Sequence, residues 1–151
     1  MLIIKFFFKF KNMETGSELY EMILDKIIQN HKHSLQEILS TIRDLNFFEE
    51  DILLRLISYL KMSTLYEITC DNFGDFKYYI LILGEGYFIF YDNCHCTCNT
   101  QLSKKLKSTN LCMHYLLYKI LYNINCFIKI QIDKDNMIQL AKIAKEKSLS
   151  K

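Results

Sequence analysis

The chain has no proline, no tryptophan and only 4 glycines in 151 residues, and its formal net charge is just +2. The missing proline and tryptophan, beside heavy use of Ile, Lys, Asn, Tyr and Phe, reflect a bias toward AT-rich codons and exclude no fold. The charge balance is more informative: 19 Lys and Arg against 17 Asp and Glu leave no overall basic footprint of the kind a strongly charge-driven nucleic-acid binder carries. Any DNA contact has to be local. No apolar run approaches the ~20 residues that span a bilayer, which argues against a membrane partner. MLIIKFFFKFKN is broken by Lys5 and followed by no small-residue cleavage site, so it does not read as a signal peptide. Whether residues 1–12 are translated or form a targeting segment stays open in the sequence, and Met13 is a candidate functional start.

There is also no internal repeat, no Ser/Gly linker and no low-complexity block, and this length suits one ordinary core. A single domain over 1–151 is expected: 1–16 as a disordered extension, 17–62 helical, 63–126 holding strands and the helix after them, and 127–151 a C-terminal helix and tail. Gly-rich phosphate loops and carboxylate pairs in catalytic spacing are missing, so neither an enzyme nor a small-molecule substrate is expected.

What is present changes texture at about residue 63. Tyr20, Ile23, Leu24, Ile27 and Ile28 recur at helical spacing behind a Thr15/Glu18 capping box. Ser34 and Glu37 repeat that box before Leu35, Ile38, Leu39, Ile42 and Leu45, and Leu53, Leu56, Ile57 and Leu60 mark a third helix. LYEITC, KYYILIL and GYFIFY are then short aromatic or β-branched runs parted by DNFGD and GEG turns, predicting a three-stranded antiparallel meander. CMHYLLYKILYNI returns to helical periodicity, and Asp133 is placed to cap a short last helix carrying Met137, Leu140, Ala141 and Ile143. The fold class expected is α+β.

Six cysteines raise the question of disulfides, but three of them crowd into CHCTC, too close for mutual bridging in ordinary geometry. Ligation of a metal in a reducing compartment fits better. Zinc takes about four N or S ligands in a tetrahedron, and two cysteines one residue apart offer two thiolates to one ion. Cys112 and His114, again one residue apart, supply a second pair at the start of a helix, where the partial positive charge of the amide ends favours thiolate. The first pair is either Cys94 with Cys96 or Cys96 with Cys98. His95 points away from both on an extended strand. Cys70 and Cys126, each alone among apolar residues, read as small buried hydrophobes, and His31 and His33 as surface residues between two helices. Cys112 and His114 drawn as a nucleophile and base is the catalytic alternative, which a closed four-ligand site would preclude.

CxC followed by CxH resembles the SWIM-type zinc finger. The order of helices, meander, finger, long helix and short tail helix, together with YFIFYDNCHCTC, LCMHYLLYKIL and IQIDKDNMIQL, is similar to the SWIM protein family of the Shu complex, which mediates homologous recombination. The likeness covers roughly residues 50 to 145. Two departures stand out: NTQL follows the CxC where the family has an aromatic or Pro-containing stretch, and Leu117 stands where it often has a small residue. The resemblance favours Cys96 and Cys98 over the other register, because the family carries an extra cysteine before its pair. It implies structural zinc on Cys96, Cys98, Cys112 and His114. It further implies a noncatalytic nuclear adaptor for DNA repair that forms a heterodimer with a RecA-like recombinase paralogue, with single-stranded DNA contacted through that complex. The alternative is a direct nucleic-acid-binding module of the transposase-like kind, in which Lys104, Lys105 and Lys107 touch phosphates.

Overall fold

A computed structural model describes residues 16–31, 34–91 and 112–149. Their order is α1 (Gly16–Asn30), α2 (Leu35–Asp44), α3 (Glu50–Met62), β1 (Ser63–Thr69), a 3-10 turn (Asp71–Phe73), β2 (Lys77–Leu83), β3 (Gly86–Tyr91), α4 (Met113–Asn123), β4 (Ile128–Gln131) and α5 (Lys134–Leu149). The class is α+β, as the change of texture predicts. No described helix is long and apolar enough to cross a membrane.

Local chemistry sets the element ends. Ser34 caps α2, its hydroxyl accepting from the Glu37 amide at 3.2 Å, and Asp133 caps α5 by accepting from the Asn136 amide at 2.8 Å. Thr15 of the other predicted box lies outside the described residues. In so glycine-poor a chain, asparagine takes the left-handed position that closes two helices, Asn46 at φ 49° and Asn125 at φ 56°. After each, two backbone amides return to the last turn, Asn46 to Arg43 and Phe47 to Ile42, then Asn125 to Tyr122 and Cys126 to Leu121, a Schellman closure.

The sheet departs from the predicted meander. Its order is β3-β2-β1-β4: β1, β2 and β3 are antiparallel neighbours, but a fourth strand lies parallel to β1, which makes the sheet mixed. Every residue of β4 is exposed, so the strand carries none of the inward apolar alternation that reveals the other three. The C-terminal helix is not short either: α5 has 16 residues against 11 in α4.

Strand register sorts side chains onto two faces. Leu65, Leu81 and Phe88 form one cross-strand row, and Glu67, Tyr79 and Phe90 the next. This face packs against Leu24 and Ile28 of α1, Ile38 and Ile42 of α2, Leu56 of α3 and Leu116, Leu117, Ile120 and Leu121 of α4. α4 lies in the middle of that core, with Leu116, Leu117 and Ile120 completely buried and a stripe of Tyr115, Tyr118 and Tyr122 turned to the sheet and Phe127. Lys119 of α4 is tied to Asp25 of α1. The other sheet face, with Ile68, Tyr78 and Ile89, is covered by α5 through Met137 and Ala144, while Ile143 of the same helix is exposed.

Glu67 is the one charged side chain buried among the described residues. Such a carboxylate is tolerated because Tyr79 donates its hydroxyl to Oε2 at 3.0 Å and Lys77 lies 3.5 Å from Oε1. Burial, reinforced by that hydrogen bond, holds the Tyr79 phenol above the ordinary tyrosine range, and burial pushes Tyr118 up to about 12. In the unfolded chain both ionise near pH ~10. Above that pH the unfolded state sheds protons that the folded state keeps, so the stabilisation present below pH ~10 is lost as pH rises through the folded values. Thermal melting temperature is therefore expected to fall steeply between pH 10 and about 12, and less steeply in Tyr118→Phe.

Candidate metal centre

Cys112 and His114 stand at the entry to α4. Cys112 is its N-cap, extended at φ −118° and ψ 169°, and its Sγ accepts from the Tyr115 amide at 3.3 Å. The thiol is buried, and it meets the amide end of a helix, where negative charge on sulfur is stabilised. His114, in the first turn, lays its ring flat on Phe88 of β3, with centroids 3.6 Å apart and planes at 16°. Stacking occupies a ring face, whereas ligation uses the lone pair of a ring nitrogen in the ring plane. The two demands do not compete.

The same stack fixes where the chain leaves the sheet. Phe88 lies against His114, and Phe90, two residues on, stacks on Tyr118 at 4.5 Å and 8°. β3 therefore runs along the first turns of α4, and the CxC segment begins three residues after its last residue, Tyr91. Cys94, Cys96 and Cys98, with His95, Lys104, Lys105 and Lys107, lie outside the described residues. Among the described residues no group of three or more His, Cys, Asp or Glu side chains gathers to hold a metal. The donor chemistry nonetheless suits zinc: a thiol presented to a helix amide, an imidazole with in-plane nitrogens, and three further cysteines in the sequence that follows β3.

The remaining candidates fall elsewhere. Cys70 is buried beneath α5, its thiol donating to Asn72 Oδ1 at 3.7 Å, which agrees with a packing role. Cys126 corrects the expectation, because it is exposed: the left-handed Asn125 turns the chain out of the core just before the edge strand β4. His31 is half-buried, Nδ1 donating to Glu37 at 3.1 Å and Nε2 lying 3.5 Å from the Thr41 hydroxyl, so it links α1 to α2. His33 is outside the described residues. Sequence reasoning overlooked Phe88 as the support of His114 and Glu67 as a buried carboxylate. The signal for Glu67 was its parity with Leu65 in LYEITC, which sends both to one face.

Comparison with protein-family models, curated proteins and solved structures gives no match.

Proposed function

We propose that the chain is a noncatalytic adaptor whose structural zinc, held by Cys96, Cys98, Cys112 and His114, clamps the segment after β3 to the first turn of α4. Cys94 and Cys96 are the alternative first pair. The observation that carries the reading is the Phe88–His114 stack, which brings the end of the sheet beside the helix entry. At ~3.3–3.6 Å per residue, Cys94 to Cys98 can reach ~10 to 25 Å from Tyr91, ample for meeting Cys112 and His114. When bound, zinc supplies no reaction here: four protein ligands close its coordination and leave no open position for substrate.

Cys112 orients the helix through its N-cap bond, and His114 holds β3 through its stack. Both raise the rigidity with which the outer surface is presented. With catalysis absent, that surface is where function lies, and the resemblance to the SWIM protein of the Shu complex makes the partner a RecA-like recombinase paralogue. The role is then promotion of homologous recombination and DNA repair in the nucleus.

Co-purification of the zinc-loaded chain with a RecA-fold partner tests the proposal. The pair is expected to bind single-stranded DNA, and the isolated chain is not. If the isolated chain binds single-stranded DNA with a steep salt dependence that Lys104, Lys105 and Lys107 substitutions reduce, direct nucleic-acid recognition replaces the adaptor.

A further inference from the structure

Beneath α5, on the sheet face away from Cys112 and His114, lies an apolar groove of about 290 Å³. One wall is Phe73 and Phe76, from the turn between β1 and β2, with Tyr78 of β2; the other is Met137 and Ala141 of α5. The turn is sharp because Gly74 adopts φ 61°, a conformation that other residues enter only with strain, and it leaves Phe73 and Phe76 about 40% exposed. Two half-exposed phenylalanines on a connecting turn are costly to hold in water. Phe76 is not loose, however: it packs edge-on against Tyr78 with centroids 5.0 Å apart.

Among the described residues, the charged side chains that line the groove are Lys142 and Lys145, a turn apart on α5; Asp71 and Asp75 of the adjacent turn do not line it. Among the described residues, Lys77 and Lys119 are paired with carboxylates, but no carboxylate pairs with Lys142 or Lys145. A volume at the small end of the ~300–1,000 Å³ of ligand pockets suits one large apolar side chain better than a cofactor. We infer that this groove docks an acidic peptide segment of a partner protein, one Phe, Trp or Leu filling the space between the turn and α5 while flanking carboxylates meet Lys142 and Lys145. The site requires neither zinc nor a recombinase partner.

Selection of a random-peptide display library against the full chain, followed by binding measurements on synthetic copies of the winners, tests this. Enriched peptides are expected to carry one large apolar residue beside two or more Asp or Glu. Their affinity is expected to drop about tenfold or more in the Lys142→Glu/Lys145→Glu variant and with rising salt. Ala141→Trp, which fills the groove, is expected to abolish binding. An unchanged circular-dichroism spectrum and melting temperature show that each variant is folded, and the surface lysine pair keeps the test intact should Ala141→Trp fail. Recovery of no peptide, of peptides without that pattern, or of peptides indifferent to these variants overturns the inference. So does preferential binding of dodecanoate or of phosphatidylserine vesicles at the same residues, which would make the occupant a lipid.

Discussion

His114→Phe is expected to abolish zinc binding while leaving the helical and sheet core standing. Phenylalanine retains an aromatic face for Phe88 but removes both ring nitrogens, so packing alone predicts a tolerated change. Cys112→Ser makes the complementary separation: a hydroxyl keeps an N-cap acceptor for the Tyr115 amide but removes the thiolate. Structural zinc reaches an apparent binding energy on the order of 10–16 kcal/mol only when its full set of ligands is in place. Loss of one ligand should therefore reduce metal content from one ion per chain to nearly none, and partner binding with it. Cys70→Ala should leave metal content unchanged, because its thiol packs beneath α5. The two registers separate as well, since Cys96→Ala fails in both, Cys98→Ala only if Cys98 is a ligand, and Cys94→Ala only in the alternative.

Phe90→Ala is expected to have the largest effect on the fold itself, a loss of about 3–5 kcal/mol in denaturant unfolding. Phe90 is 1% exposed and stacks on Tyr118 while lying in one row with Tyr79 and Glu67. Removing its ring opens a cavity between β3 and α4 and loosens the partner rings around the buried carboxylate. Because the same strand carries Phe88, the substitution should also weaken zinc retention indirectly. Phe73→Ala, on an exposed turn, should cost far less.

The elements legible in the sequence are those with a buried side. α1, α2 and α3 follow their 3.6-residue apolar spacing, and β1 to β3 begin and end within two residues of LYEITC, KYYILIL and GYFIFY because each packs buried apolar side chains against helices. β4 escaped because all four of its residues are exposed and its Ile–Lys–Ile–Gln run is too short to show a period. Its pairing with β1 is a tertiary choice, made once α4 carries the chain across the sheet. α5 was foreseen by its cap and by Met137, but its length was not, since its last turns read as a solvated Lys-rich tail. At the candidate site, the helix entry at Cys112 was legible from the periodicity beginning there. The Phe88–His114 contact was not, because nothing local in either segment encodes which strand a helix lies on.

The proposed adaptor carries an ion at the entry to α4, and elemental analysis of the full, natively purified chain measures it most directly. One zinc per chain, released only as chelation also exposes the Tyr115 amide to hydrogen exchange, is the predicted result. A folded, partner-competent chain that carries no metal under zinc-replete purification would contradict it.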